Sequence, residues 1–115
     1  MSKRGDIAFF EDIKESIKRI NAYISEMDYK EFLKDKKTQD AVVRNLEIIG
    51  EAAKNISQES KQKYPEMPWS DFARVRDKLI HFYHGVNYDV VWDIALHELP
   101  PALKQVKKII EAEKN

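Results

Sequence analysis

The chain has 115 residues, enough for one small domain with a single core and too few for two independent ones. Twenty basic residues balance twenty acidic ones, so net charge neither draws the chain to nucleic acid or membranes nor excludes RNA. The lack of cysteine excludes disulfides, thiolate metal sites and cysteine nucleophiles. No apolar run approaches membrane-spanning length, and the charged N-terminal segment is unlike a signal peptide. We therefore predict a soluble cytoplasmic protein with one domain over 1–115 and its core over 6–110.

The first half of the chain predicts two long amphipathic helices. Few glycines and prolines and a 35 % charged fraction favour helices over short strands. From Asp6 to Met27, apolar residues recur at spacings of three and four, which predicts a helix with one buried stripe. The polar segment 28–37 predicts a connection with one helical turn, and Thr38 is a suitable N-cap for the second helix. The apolar stripe of that helix consists of Val42, Leu46, Ile49, Ala53 and Ile56.

A third helix is predicted after a charged segment, 57–64, that forms a short helix or a loop. This helix begins at 68–70 and runs through Tyr83 or His84. Gly85 is well placed to end it in a left-handed turn, since glycine adopts positive φ without a steric penalty.

The last part of the chain predicts two more helices. Asn87 can cap a fourth helix, and Pro100 and Pro101 are expected to break it and start a final one. We expect residues 111–115 to fray. Because the connections are short, the predicted fold is all-α, an antiparallel bundle of four to five helices.

The third helix carries the pattern RxxxxHxY, formed by Arg76, His81 and Tyr83. A guanidinium stays charged and an imidazole titrates near neutral pH, so together they suit a phosphodiester substrate. On a continuous helix, Arg76 and Tyr83 lie about 20° apart on one face, and Asp77 lies one turn before His81, where it can orient the imidazole. Arg76 and His81 lie about 140° apart, so we predict a homodimer in which two such helices form one groove.

With RNA as the substrate, these residues suffice for chain cleavage. His81 would take the proton from a 2′-hydroxyl, the freed oxygen would attack the adjacent phosphate in line, and Arg76 would stabilise the charged transition state. This chemistry requires no metal or cofactor, and we predict none. DNA has no 2′-hydroxyl and could not react in this way.

The sequence resembles HEPN-domain ribonucleases, specifically the HepT-like toxins of the HepT and MntA toxin–antitoxin system. The resemblance covers about residues 6–110. Its motifs are the stretch RNLEIIGEA at 44–52, Pro68-Trp69, the RxxxxHxY pattern with its following HGV turn, Val91-Trp92 and Leu99-Pro100.

The resemblance implies an α-helical dimer with metal-independent endoribonuclease activity, whose catalytic residues are Arg76 and His81. It also implies a partner, an MntA-like minimal nucleotidyltransferase antitoxin of a type VII-like pair. That enzyme would transfer AMP from ATP to Tyr83 and so add bulk and negative charge to the RNA groove. The family position after the arginine also suits asparagine, and here it is Asp77, a supporting residue provided that its carboxylate faces His81.

Other interpretations of the same residues remain open. The chain could be a non-catalytic helical module that binds a nucleotide or a nucleotidyltransferase through this surface. Asp77, His81 and His84 share a helical stripe and could ligate a metal, but three ligands from one helix are a weak pattern. Glu47 and Glu51 resemble a catalytic carboxylate pair, although Arg44 and Lys54 at helical spacing favour an ion-pair face.

Overall fold

The structure, a computed structural model, describes the backbone of residues 3–81 and 85–115 and the side chains of 5–80 and 85–115. The fold is all-α, as predicted. The helices are α1 (Lys3–Ile24), α2 (Tyr29–Lys34), α3 (Lys36–Asn55), α4 (Gln58–Lys63), α5 (Trp69–Ala73), α6 (Val75–Leu79), α7 (Tyr88–Asp93) and α8 (Leu99–Lys114). A π-helical segment, Ile94–Glu98, joins α7 to α8, and two short strands, β1 (Ile80–His81) and β2 (Gly85–Val86), lie between α6 and α7. No described helix is long and apolar enough to cross a membrane.

The core lies where α1 packs along both α3 and α8. The predicted stripe of α1 is confirmed from Phe10 to Ile24, where the helix ends three residues before the predicted end at Met27, and the predicted stripe of α3 is confirmed throughout. The fully buried large side chains of the core include Phe10, Ile13, Ile17, Ile20, Leu46, Ile49 and Ile109. Burial of these apolar surfaces is the main force that holds the three long helices together.

A buried carboxylate ties the start of α1 to the start of α4. Asp6 is only 3 % exposed and accepts hydrogen bonds from the Ser57 hydroxyl at 2.5 Å, the Ser57 backbone N–H at 3.1 Å and the Ser60 hydroxyl at 2.6 Å. Burial raises the pKa of the Asp6 carboxyl, but these hydrogen bonds outweigh it and hold the pKa below its ordinary value. The carboxylate is therefore stable as a charged group inside the fold.

The predicted N-cap of the second helix needs correction. Asp35, not Thr38, caps α3, because its side chain accepts from the Thr38 backbone N–H at 3.0 Å and from the Thr38 hydroxyl at 2.8 Å. The helical turn predicted within segment 28–37 is present as the six-residue helix α2, which begins with a capping box between Asp28 and Glu31. The predicted cap of the fourth helix is confirmed, since the Asn87 side chain accepts from the backbone N–H groups of Asp89 and Val90.

The predicted break at Pro100 and Pro101 is wrong. The backbone stays helical from α7 into α8, and the Leu99 N–H donates to the Ile94 carbonyl five residues back. Prolines lack an N–H and clash with the carbonyl four residues earlier, so a widened π-helical turn just before them lets the helix continue.

The expected fraying at 111–115 is also wrong, because α8 extends to Lys114 and its last turn has side-chain partners. The Glu113 carboxylate is 3 % exposed and accepts from the Lys63 ammonium at 2.9 Å and from the Tyr64 hydroxyl. The pKa of Tyr64 is raised by burial and by this hydrogen bond to Glu113. The end of α8 is thus attached to α4.

Candidate functional site

The predicted third helix is two short helices, α5 and α6, separated at Arg74. Arg74 has φ −107° and ψ 16°, and its N–H donates back to the carbonyls of Ser70 and Phe72. Val75 and Leu79 anchor α6 in the core, while Arg76 and Asp77 are exposed. Because Val75 and Leu79 occupy the buried side of α6, the motif residue Arg76 faces solvent.

The helical face predicted for the motif does not exist, because α6 ends at Leu79. Ile80 and His81 are extended and pair antiparallel with Val86 and Gly85. The Leu79 carbonyl accepts from the Asn87 N–H at 2.6 Å instead of from a further helical turn. The run Ile-His-Phe-Tyr has high β-propensity, which explains why the helix stops here. Gly85 has φ +75°, as predicted, but it lies in β2 and not at a helix end.

Asp77 therefore does not lie one helical turn before His81, and the predicted continuous helix through 83 or 84 is interrupted at Ile80. The backbone of His81 lies in β1, one strand residue after Ile80, while its side chain lies outside the described residues. Tyr83 and His84 lie outside them altogether.

Close packing holds α5 and α6 against α3. A Cβ atom on Gly50 would lie 2.9 Å from the Phe72 carbonyl oxygen and 3.1 Å from Cγ1 of Val75. Because glycine has no side chain, Gly50 lets the backbones of α3 and α5 come together. Arg76 is the next residue after Val75, so the contact at Gly50 sets the distance between Arg76 and α3.

Arg76 lines a groove with the exposed side of α3. The opposite wall consists of Arg44, Glu47, Glu51 and Lys54. The Lys54 ammonium lies 4.0 Å from the Glu51 carboxylate, and on α6 the Lys78 ammonium lies 3.7 Å from the Asp71 carboxylate. Among the described residues, neither Arg44 nor Arg76 forms an ion pair or a side-chain hydrogen bond. Two guanidinium groups in one groove thus remain available to an anion such as phosphate.

Arg44 is the site residue that the sequence interpretation missed, since it was assigned to an ion-pair face with the two glutamates. The spacing of Arg44, Glu47, Glu51 and Lys54 already placed it on one face of α3. The spacing alone does not show that α6 packs beside this face of α3. Gly50, which lies on α3 and leaves room for a close neighbour, is the residue that indicates it. Within the described part of the chain, no group of three or more His, Asp or Glu residues could hold a metal ion.

The helical architecture and the exposed motif arginine define an all-α protein of HEPN-like fold, and comparison with known proteins gives its family. The family model for HepT-like ribonucleases matches residues 13–109. The chain belongs to the HepT-like ribonuclease family.

Relatives in three organisms carry ribonuclease names. A protein of Methanocaldococcus jannaschii named as a candidate RNase is 49 % identical over 111 residues, which cover 96 % of this chain and 92 % of the relative. One of Thermococcus cleftensis, named as a candidate ribonuclease HepT, is 46 % identical over 107 residues, 93 % of this chain and 97 % of the relative. A third, from Caldanaerobacter subterraneus and also named as a candidate RNase, is 42 % identical over 106 residues, 92 % and 95 % of the two chains. No solved structure matches this chain. These names support a ribonuclease role.

Proposed function

We propose that this chain is a metal-independent endoribonuclease, the toxin of a type VII-like toxin–antitoxin pair, with Arg76 and His81 as its catalytic residues. The family supports RNase activity in general. The groove between α3 and α6 is the observation that supports this particular site. In it the exposed guanidiniums of Arg76 and Arg44 have no acidic partner among the described residues. A polyanion is the substrate that such a groove attracts.

In this mechanism His81 removes the proton of a 2′-hydroxyl, and that oxygen forms a bond to the adjacent phosphorus while the bond to the 5′-oxygen breaks. The products are a 2′,3′-cyclic phosphate and a free 5′-hydroxyl, which takes up the proton. Arg76 stabilises the extra negative charge of the pentacoordinate phosphate, and Arg44 binds a neighbouring phosphate of the strand.

The direct test is incubation of the purified, unmodified protein with tRNA and mRNA in EDTA. We expect cleavage, and we expect Arg76→Ala and His81→Ala each to reduce its rate by about 100-fold or more. Arg74→Ala is the matched control, since this exposed arginine lies two residues from Arg76 but lines a different surface depression. The cleavage rate of Arg74→Ala should stay within about twofold of the wild-type rate. No cleavage at any protein concentration would instead favour the non-catalytic binding module.

Asp77 remains a candidate positioning residue for His81, now through space and not through a shared helical face. A carboxylate near the imidazole raises its pKa by favouring the cation. Asp77→Asn should therefore shift the acidic limb of the pH–rate profile of kcat/KM toward lower pH, with a smaller loss of rate than His81→Ala. An unchanged profile would remove Asp77 from the site.

We also propose a homodimer, supported by the family resemblance. The 140° separation of Arg76 and His81 holds only for a continuous helix and does not support the dimer, because α6 ends at Leu79. Sedimentation or light scattering should give about twice the chain mass. If the groove is shared between subunits, mixing Arg76→Ala and His81→Ala subunits should recover part of the activity, whereas two independent grooves would recover none.

Inhibition is proposed to occur by AMP transfer to Tyr83 from an MntA-like nucleotidyltransferase. The phenol oxygen would form a bond to the α-phosphorus of ATP and release pyrophosphate. The added AMP would bring bulk and negative charge to a chain that has to bind a polyanion, which opposes RNA binding. Coexpression with the transferase should add whole AMP units to the intact mass and abolish cleavage. Addition that persists in Tyr83→Phe would contradict this assignment.

A further inference from the structure

A second groove with basic walls lies away from Arg76, between α1 and α8. The two helices run antiparallel, since Glu11 in the first half of α1 lies beside Lys114 at the end of α8, while Lys18, further along α1, lines the same groove as Lys107, earlier in α8. The groove has a volume of about 440 Å³. The side chains that line it are Lys14, Lys18, Lys107, Ile110, Glu111, Lys114 and Asn115. We call it the lysine groove.

The lysines of this groove differ in how far they are neutralised. Glu11 lies 3.0 Å from the Lys14 ammonium and 3.3 Å from the Lys114 ammonium, so one carboxylate serves two cations. Lys18 and Lys107 are exposed and form no ion pair with any described residue. The groove therefore keeps a local excess of positive charge in a chain whose formal net charge is zero.

The acidic residue nearest the end of α8 does not reduce this excess. The side chain of Glu113 is buried and binds Lys63 and Tyr64 of the neighbouring α4 region. Glu111 is thus left as the acidic residue of α8 that lines the groove. Such an uneven distribution is the feature by which a protein of neutral net charge attracts a polyanion.

We propose that the lysine groove binds the phosphate backbone of RNA, as a second contact for the substrate of the proposed ribonuclease. Lysines act as point charges on flexible stems and suit phosphates without reading bases. Lys107 and Lys114 lie two helical turns apart, about 10 Å along α8, so the groove spans more than one phosphate of a strand. This inference rests on the proposed function, because the polyanion it names is that enzyme's substrate.

The test measures RNA binding by Lys18→Gln/Lys107→Gln in a His81→Ala background that does not cut. We expect about 10-fold weaker binding at 0.1 M salt, and a slope of log affinity against log salt that is smaller by about 1.4, about 0.7 for each phosphate contact. Lys30→Gln/Lys36→Gln, which removes the same charge from exposed positions on α2 and α3, is the matched control and should leave both values unchanged.

A substitution in the opposite direction sharpens the test. Glu11→Gln should free Lys14 and Lys114, bind RNA several-fold more tightly and steepen the salt dependence. Thermal unfolding should show that each variant stays folded. Cleavage of a dinucleotide, too short to reach both grooves, should have the same kcat/KM in Lys18→Gln/Lys107→Gln as in the wild type.

The outcomes separate this inference from the proposed function. If RNA is cleaved but Lys18→Gln/Lys107→Gln binds it like the matched control, the lysine groove is not an RNA site and the inference is overturned. The inference is overturned in the same way if Lys18→Gln/Lys107→Gln loses binding to vesicles of anionic phospholipid but keeps its binding to RNA. If no RNA is cleaved, yet this variant loses RNA affinity, the lysine groove stands as a polyanion site and only the catalytic proposal fails.

Discussion

The scaffold of α1, α3 and α8 and the segment from α5 to β2 are held in place by different means. The scaffold consists of long helices whose apolar stripes are fully buried against one another. The second segment consists of five-residue helices and two-residue strands, anchored by a few buried side chains and by the close approach at Gly50. Helices this short cannot persist alone in water. The catalytic residues that we propose therefore lie on backbone whose conformation depends on its neighbours.

The largest expected effect on stability lies in the scaffold. Ile17 is fully buried on α1, and Ile17→Ala should lower the free energy of unfolding by about 3–4 kcal/mol through lost burial and the cavity left behind. Urea unfolding measures this loss. Under conditions where the variant is still folded, RNA cleavage should keep a wild-type rate, because Ile17 takes no part in the contact at Gly50 that holds the segment from α5 to β2. A large loss of rate there would show that the segment depends on the α1 core and not only on the contact at Gly50.

The buried carboxylate of the scaffold predicts a pH dependence. The pKa of Asp6 is lowered in the folded state, so its contribution to stability is present above the unfolded pKa, about 4, and is lost as pH falls through the folded value. Asp6→Ala should cost about 2–3 kcal/mol near neutral pH, because Ser57 and Ser60 lose their acceptor.

The check is urea unfolding of wild type and Asp6→Ala between pH 7 and pH 3. The difference in unfolding free energy between the two should shrink toward acid. A difference that stays constant down to pH 3 would show that the carboxylate charge contributes nothing.

Gly50→Ala should have a smaller effect on stability and a larger one on activity. The new methyl group meets a carbonyl oxygen at 2.9 Å and must push α5 and α6 outward, at a cost of about 1–2 kcal/mol after the gain in helix propensity. Because the displaced segment carries Arg76, we expect the cleavage rate to fall about 10-fold or more.

Ala52→Ser is a suitable control for Gly50→Ala, since it changes a buried small residue of α3 two positions away, and Ala52 does not line the Arg76 groove. It should perturb stability without a comparable loss of rate. Equal losses of rate in the two variants would show that the position of α6 does not depend on Gly50 in particular.

The same comparison explains which structural features could be predicted from the sequence. Three-and-four spacing predicted the buried stripes of α1 and α3, because helical burial repeats in the sequence itself. The end of α6 at Leu79 could not be predicted from spacing, since the competing β-propensity of Ile80 and the tertiary hydrogen bond from Asn87 determine it.

The candidate site was predictable in part. The motif identified Arg76, but Arg44 joins it only because Gly50 lets α3 and the α5–α6 segment meet. Likewise, the continuation through Pro100 and Pro101 needed a π-helical turn that no residue pattern indicated. Contacts between elements distant in sequence account for each of these differences.

The central claim is that the groove beside Arg76 cleaves RNA through the substrate's own 2′-hydroxyl. The most direct measurement uses an oligonucleotide of known cleavage position, in EDTA, beside a copy with a single 2′-deoxy nucleotide on the 5′ side of that bond. We predict that the all-RNA strand gives a 2′,3′-cyclic phosphate end and that the single 2′-deoxy substitution abolishes the cut. Cleavage of the substituted strand at the same bond, or a 5′-phosphate on the downstream fragment, would contradict the mechanism.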